Sequence, residues 1–145
     1  MHRMTKEPPT SGDPRRSQLL RGALDICLLA LIAERPRYGY EFVEALTEGG
    51  LELVSEGSIY PLLARMERAG HVESFRAPSA SGGAPRKYYR LTRAGAAELA
   101  RGHTVWQDFT AQVNGILATT EQTRGRHAHD DRNHDGRTDP GDLPQ

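Results

Sequence analysis

Residues 55–70 are patterned as a short helix that buries one face and exposes the other. Four apolar residues recur at the i, i+3, i+4 and i+7 spacing of one helical stripe, namely Ile59, Leu62, Leu63 and Met66. Because Pro61 has no N–H, it fits best in a first turn, where that donor has no intrahelical partner. We therefore expect Ser58 to be the N-cap of this helix and Gly70 to end it. The rest of the chain must supply a core for the apolar stripe.

The opposite face of this helix carries side chains that suit contact with DNA. It presents Ser58 at its start, followed by Tyr60, Pro61, Ala64, Arg65 and Arg68. Arginine bonds guanine edges or phosphates, small side chains allow close approach to thymine methyl groups, and a helix N-terminus favours phosphate. The same pattern is also typical of an ordinary amphipathic helix in a core, so this stretch alone does not decide between the two interpretations.

Two further helices are predicted upstream. Residues 19–34 form a helix that is apolar on most sides. A small domain cannot bury all of these sides in its own core, so a second surface must cover the rest. We predict that a partner subunit supplies that surface at Leu20, Leu24 and Leu28. A second helix follows Tyr38-Gly39-Tyr40 and ends at Gly49-Gly50. Its short connection to the helix of residues 55–70 predicts a helix-turn-helix, in which the second helix is the recognition helix.

After Gly70 the apolar period changes from helical to alternating. Residues 71–76 and 86–91 are predicted strands, and the linker between them consists of small residues, glycine and proline. A hairpin in this place is a wing. Tyr89 and Leu91 should face inward and Tyr88 and Arg90 outward, with Arg86 and Lys87 near the tip.

The wing region is also the most basic part of the chain. Residues 74–97 contain no acidic side chain, and their cations are Arg76, Arg86, Lys87, Arg90 and Arg93. Phosphate contact is the function that this charge favours, although a solvated basic hairpin would have the same composition.

Residues 93–118 form a last predicted helix with a heptad seam. Its apolar positions are Leu99, Trp106, Phe109, Val113 and Ile116, and Gly102 takes the remaining seam position. The domain has little of its own left to cover this seam, so we predict pairing with the same helix of a second copy. A lone tryptophan on such a stripe is typical of a core, but Trp106 could also be a platform for a planar ligand.

Composition limits the class of protein. The 145 residues suggest one domain with extensions: a disordered arm at 1–17, a winged helix-turn-helix at 18–92, a dimerisation helix at 93–118 and a flexible polar tail at 119–145. Since the formal net charge is zero, DNA binding would need a local basic patch. The single Cys27 excludes an intramolecular disulfide and suits a reducing cytosol. The chain shows neither a signal peptide nor a membrane span, so we expect a cytoplasmic protein.

One pattern in the tail is not explained by disorder. Oxygen-bearing residues stand at positions 1, 3, 5, 9 and 12 of an EF-hand-like loop, with glycine at position 6, and they are Asp131, Asn133, Asp135, Asp139 and Asp142. Calcium binding is therefore one alternative and a solvated acidic tail is the other. Asp142 replaces the usual bidentate glutamate, and no amphipathic helix is evident on either side to preorganise the loop.

Three separate motifs resemble those of the PadR transcriptional regulators. They are Tyr38-Gly39-Tyr40-Glu41, the run from Gly57 to Leu63 followed by Arg65 and Glu67, and the run from Pro85 to Thr92. The resemblance implies a winged-helix homodimer that binds an operator with the Ser58 helix and the wing, usually as a repressor, with release by a small molecule in many members. An aromatic residue on the last helix stacks on flat ligands in some relatives, and Trp106 takes a matching place. The chain departs from the pattern at Ser58, where threonine is frequent, and in its longer tail.

The predicted fold is mainly α with a small β-hairpin wing, a winged helix-turn-helix plus a long C-terminal dimerisation helix. The predicted function is that of a DNA-binding regulator; a module that binds only protein is the alternative, but it has no reason to keep acids out of a cationic wing. The DNA-binding residues are predicted to be Tyr38, Tyr40, Ser58, Tyr60, Pro61, Arg65, Arg68, Arg86, Lys87, Tyr88 and Arg90. We expect no enzyme activity, since a glycine-rich phosphate loop is missing, Cys27 stands in an apolar run, and Ser58 has no histidine nearby in sequence.

Overall fold

The structure is a computed structural model, and it describes residues 12–52, 54–79 and 82–133, with side chains up to residue 125. Its elements are α1 (Pro14–Glu34), β1 (Arg37–Tyr38), α2 (Gly39–Glu48), α3 (Glu56–Arg68), β2 (Val72–Ala77), β3 (Arg86–Leu91) and α4 (Arg93–Asn133). The strands form one antiparallel sheet in the order β1-β3-β2. This mainly helical architecture with a small sheet confirms the predicted fold class. The chain divides into two compact units, Met1–Thr104 and Val105–Gln145, so that α4 belongs to both.

The core of the first unit is formed by α1, α2, α3 and the inner face of the sheet. Its largest fully buried side chains come from each of these elements, and they are Leu28, Phe42, Ile59, Leu63 and Val72. Burial of Ile59, Leu63 and Met66, with Leu62 half-buried, confirms the predicted inward stripe of α3. Each such side chain contributes about 1.5–3 kcal/mol relative to an exposed one, so packing of this stripe holds α3 on the core.

Helix α1 begins earlier than the sequence pattern predicted. The Asp13 carboxylate accepts the backbone N–H of Arg15 at 2.9 Å, and Pro14 takes the first helical position. Hydrogen bonds from the Arg15 side chain and backbone lower the pKa of Asp13 to about 2, so this N-cap is charged at neutral pH. The expected helix start at residue 19 is therefore wrong, because Asp-Pro is a helix start signal that needs no apolar period. Residues 14–17 of the predicted disordered arm belong to α1, and its residues 1–11 lie outside the part of the chain that the structure describes.

Helix α3 also begins earlier than expected. Its N-cap is Ser55, not Ser58, and Ser58 lies within the first turn, where its hydroxyl is 3.2 Å from that of Ser55. Pro61 consequently lies inside the helix. Its missing N–H leaves the Gly57 carbonyl without a helical donor, which is tolerable because Gly57 is exposed and water can bond it. The prediction failed because it assumed that proline must fall in the first turn.

The hairpin confirms the predicted wing, and the sheet has one strand more than expected. β2 and β3 pair with Val72 opposite Leu91 and Phe75 opposite Tyr88. β1, which the sequence did not indicate, pairs Tyr38 with Tyr88 on the other side of β3. Tyr89 is buried as expected. Because β1 and β2 pair with β3 on its two sides, β3 is the central strand.

The first residue of β1, Arg37, is a buried arginine. The Arg37 guanidinium donates to the Leu31 carbonyl at the end of α1 and lies 3.4 Å from the Glu34 carboxylate. It thus adds a second donor to a carbonyl of the last helical turn, which also accepts the Arg35 N–H, and a cation there complements the helix dipole.

Helix α4 starts at a tight junction and runs further than expected. The Thr92 hydroxyl accepts the Gly95 backbone N–H at 3.0 Å and donates to the Gly70 carbonyl at 2.6 Å, which ties the helix start to the end of the α3 segment. The predicted end near residue 118 is wrong, since α4 reaches Asn133. The apolar seam stops there, but the following residues contain no proline and several good helix formers, so the backbone continues. Among the described residues, no helix is long and apolar enough to span a membrane.

Candidate nucleic-acid interface

The face of α3 that points away from the core is polar and exposed. Ser58, Tyr60, Pro61, Arg65 and Arg68 are all exposed, and the two arginines lie in the last turns of the helix. A helix with this face fits the major groove of B-DNA, which admits one helix and displays guanine acceptors that arginine bonds in a bidentate manner. The predicted recognition residues of α3 therefore share one surface.

Tyr60 lies across the start of α2. Its ring carbons Cζ and Cε1 lie 2.6 and 2.9 Å from the position that a β-carbon on residue 39 would take, so only the missing side chain of Gly39 allows this contact. The Tyr60 hydroxyl donates to the Glu56 carboxylate at 3.4 Å. Partial burial raises the pKa of Tyr60, with the Glu56 charge adding to the shift and the Arg86 charge opposing it. Tyr60 keeps 46% of its surface exposed, so it is held in place and remains accessible.

The outer face of the sheet is a continuous stack of cations and aromatic rings. Arg90 lies over Phe75 with its guanidinium 4.7 Å from the ring centroid, and Phe75 stacks on Tyr88 at 5.6 Å. Tyr88 meets Tyr38 edge to face at 5.4 Å, and Arg86 lies over Tyr38 at 4.7 Å. Each cation–π contact contributes about 0.5–1 kcal/mol at an exposed site. The stack holds Arg86 and Arg90 in position, and the half-buried Tyr38 and Tyr88 support it.

The inner face of the wing is linked to α3 by one carboxylate. Glu67 accepts a hydrogen bond from the Ser74 hydroxyl at 2.7 Å, and its other oxygen lies 3.7 Å from the Lys87 ammonium. Lys87 also lies 5.5 Å from the centroid of the Tyr89 ring. Arg86 and Lys87, adjacent in sequence, therefore face opposite sides of the hairpin, as the alternation of a strand requires.

Tyr40 lies on a surface of a different character. It is 51% exposed and borders a shallow groove on α2 that Glu44 and Glu48 also line. Carboxylates repel phosphate, so the surface around Tyr40 is less suitable for contact with the DNA backbone than the exposed faces of α3 and the wing.

The sequence did not predict three contacts that hold this surface in place. Gly39 leaves room for the Tyr60 ring, Phe75 belongs to the outer stack, and Glu67 links α3 to the wing. One signal was available for Phe75, because it is opposite Tyr88 once the hairpin register is known. The PadR-like motifs include Gly39 and Glu67, but both contact residues that are distant in sequence, so no local pattern could predict their structural roles.

The predicted dimer residues separate into two groups. Leu24 and Leu28 belong to the core of the first unit and Leu20 and Leu99 pack partly against it, so the expectation that α1 presents Leu24 and Leu28 to a partner is wrong. These two side chains are already buried within the single chain. In the second unit, α4 exposes a row of large apolar side chains: Val105, Trp106, Phe109, Val113, Ile116 and Leu117.

The predicted calcium ligands lie mostly beyond the described residues. Helix α4 includes Asp131 and Asn133, whereas Asp135, Asp139 and Asp142 lie outside the part of the chain that the structure describes. Within the described part, no group of three or more potential metal-ligating side chains is found. Calcium binding by the tail stays a prediction.

Comparison with known proteins identifies the family. Residues 28–101 match the transcriptional regulator PadR-like family. A PadR-like transcriptional regulator from Bacillus cereus has 39% sequence identity and a TM-score of 0.64, over 69% of this chain and 96% of that one. A PadR family regulator from Eggerthella lenta has 32% identity and a TM-score of 0.63, over 71% of this chain and 88% of that one. An uncharacterised protein from Lysinibacillus sphaericus is 34% identical over 105 residues, which are 70% of this chain and 91% of the relative. The chain belongs to the PadR-like family of transcriptional regulators.

Proposed function

We propose that the protein is a transcriptional repressor that binds a palindromic operator as a homodimer and is released by a planar aromatic effector. One observation carries the DNA-binding part of this proposal. The exposed face of α3, with Tyr60, Arg65 and Arg68, belongs to the same compact unit as the wing, and Glu67 of α3 lies 3.7 Å from the Lys87 ammonium.

The two parts of this surface have different roles. Tyr60 and Arg65 contact base edges from α3, because a recognition helix in the major groove brings its exposed side chains to them. Arg86 and Lys87 contact phosphates, and such contacts add affinity and position the protein on the duplex without reading its bases.

The homodimer is supported by the exposed apolar row of α4. On a single chain, Phe109 is 54% exposed, Ile116 is 69% exposed and Leu117 is 57% exposed. Contiguous apolar surface of this kind marks an interaction site, and the heptad spacing of Trp106, Phe109, Val113 and Ile116 fits a second copy of the same helix. A twofold dimer recognises a palindrome because operator symmetry mirrors protein symmetry.

The effector would bind at Trp106, which is 38% exposed in the middle of this row. Two symmetry-related indoles at a seam provide flat, polarisable faces for a planar aromatic molecule. A ligand there would change how the two long helices cross, and with it the distance between the two α3 helices. It can switch binding only if it prefers the state that does not fit the operator.

Selection of duplexes from a randomised pool tests the proposal directly. The expected product is an inverted repeat whose half-sites are about one helical turn of DNA apart, or a multiple of that spacing. A reporter gene placed behind the selected sequence should be expressed less when the protein is present. If no duplex is enriched over the starting pool, the DNA-binding proposal is wrong and a module that binds only protein becomes the better explanation.

A further inference from the structure

Glu67, in the last turn of α3, joins that helix to both strands of the wing hairpin. Its Oε1 accepts the hydroxyl of Ser74 on β2 at 2.7 Å, and its Oε2 lies 3.7 Å from the ammonium of Lys87 on β3. The two carboxylate oxygens therefore have different partners. The short bond from Ser74 orients the carboxylate, and this orientation leaves the second oxygen directed at Lys87.

The contact with Lys87 is loose enough to be exchanged. The Lys87 side chain is 47% exposed and that of Glu67 is 38% exposed, and ion pairs with this exposure are weak. A DNA phosphate that approaches the wing would thus compete with Glu67 for the same ammonium group. The outcome depends on how firmly the phosphate is held in place.

We propose that Glu67 withholds Lys87 from DNA phosphates and thereby lowers the affinity of the protein for non-specific duplexes. The inference rests on the proposed function, in which the wing cations contact phosphate. On an operator, base contacts from α3 fix the backbone beside the wing, and Lys87 moves to it. On a non-specific duplex the backbone is not fixed, and Lys87 stays with Glu67. Glu67 is then a specificity-determining residue that touches no base.

The variant Glu67→Gln separates this effect from simple positioning. Glutamine keeps an oxygen that can accept the Ser74 hydroxyl, so the link between α3 and β2 remains, but it removes the charge that holds Lys87. On a non-specific duplex, we expect affinity to rise by about twofold to fivefold, as an exposed ion pair allows. The slope of log K against log salt should become steeper by about 0.9, the increment for one additional phosphate contact. On the operator, the slope should change little.

Two controls isolate the role of Lys87. In a Lys87→Met background, Glu67→Gln should no longer change the non-specific slope, because there is no ammonium to release. Glu98→Gln removes the same charge from an ion pair with Arg101 on α4, 2.7 Å long, and should leave the slope unchanged. If Glu67→Gln steepens the slope equally in the Lys87→Met background, or if Glu98→Gln does so, the effect is one of net charge and the proposal is wrong.

A second variant keeps the proposal testable if Glu67→Gln is poorly folded. Ser74→Ala leaves the Glu67 charge in place but removes the hydrogen bond that orients the carboxylate. It should therefore raise non-specific affinity by a smaller factor than Glu67→Gln does. Thermal unfolding without DNA shows whether each variant is folded. An unchanged non-specific slope in both folded variants overturns the role of Glu67 while operator binding stands. A wild-type protein that binds no selected duplex at all overturns both.

Discussion

Tyr60 on α3 lies in the space that a side chain on residue 39 would occupy. The glycine at the start of α2 is therefore required for the position of Tyr60. The ring carbons approach within 2.6 Å of the absent β-carbon, a separation that real β-carbons do not tolerate. Gly39 is buried and Tyr60 is 46% exposed. Gly39 thus leaves the space in which Tyr60, a residue of the proposed DNA-binding face, is positioned.

The first prediction is that Gly39→Ala lowers operator affinity by displacing the Tyr60 ring. Because the ring is the movable end of an exposed side chain, it can rotate away, and we expect thermal stability to change little. In a Tyr60→Ala background the same substitution should have no further effect on affinity, since the obstructed ring is gone. Operator affinity is measured by fluorescence anisotropy. If Gly39→Ala lowers it equally with and without the Tyr60 ring, Gly39 does not act by making room for that ring.

Sequence patterns predicted the parts of this fold that follow a period. The stripe of Ile59, Leu63 and Met66 and the alternation of β3 gave the recognition helix, the wing and the inward face of Tyr89. β1 has two residues, too few for any period, and forms only because β3 offers a free edge. Spacing alone could predict neither this strand nor the N-cap role of Ser55.

The candidate site was predicted less completely than the fold, and for a physical reason. Sequence identifies which side chains can contact DNA, such as Arg65 and Arg86, since this depends on side-chain chemistry. It does not reveal which residues hold them, because Glu67 meets Lys87 and Gly39 meets Tyr60 only after folding. The same limit applies to Leu28, whose apolar character suits a partner or a core equally and which the structure buries completely in the core.

The second prediction separates reading of bases from contact with phosphates. Arg65→Ala should reduce operator affinity by about 1–3 kcal/mol and relax the preference at one position of each half-site. Arg86→Ala should weaken all duplexes alike and reduce the salt slope by about one, because its guanidinium, stacked on Tyr38, is proposed to contact only the DNA backbone. Salt-titrated binding to the operator and to point-mutated operators distinguishes the two effects.

Arg21 offers the matched control for this comparison. It is an exposed arginine on α1, and Arg21→Ala removes the same charge from a helix that has no proposed role in DNA contact. This variant should retain both the specificity and the salt slope of the wild type. If Arg21→Ala reduces the slope as much as Arg86→Ala does, the phosphate contacts have been assigned to the wrong surface.

The third prediction concerns the dimer. Phe109→Asp places a carboxylate in the apolar row of α4, where pairing with a second copy would bury it without a partner at a cost on the order of several kcal/mol. Sedimentation velocity should then show monomer, or thermal melting should show loss of the folded state. Gln107→Asp adds the same charge on the opposite side of the helix and should leave the dimer intact. A wild type that sediments as a compact monomer at micromolar concentration would refute the pairing.

The fourth prediction is that planar aromatic compounds bind at Trp106 and release the operator. Trp106 is the chain's single tryptophan, so its fluorescence reports this position without interference. A compound that stacks on the indole should quench the emission and lower operator affinity over the same range of concentration. Both effects should be lost in Trp106→Ala, and the change in affinity, which needs no tryptophan to be measured, is the one that tests this variant.

Quenching and release must occur together for Trp106 to be part of a switch. A nearly complete switch needs a ligand that prefers the DNA-incompetent state by roughly 5 kcal/mol, so tight binding alone is insufficient. A compound that quenches Trp106 and leaves operator affinity unchanged would reveal a binding site without regulation. If no planar compound quenches, Trp106 packs against the partner helix as an ordinary seam residue. In that case Trp106→Ala should lower the stability of the dimer by about 3–5 kcal/mol, the range for truncating a buried tryptophan, and sedimentation at falling protein concentration would measure that loss.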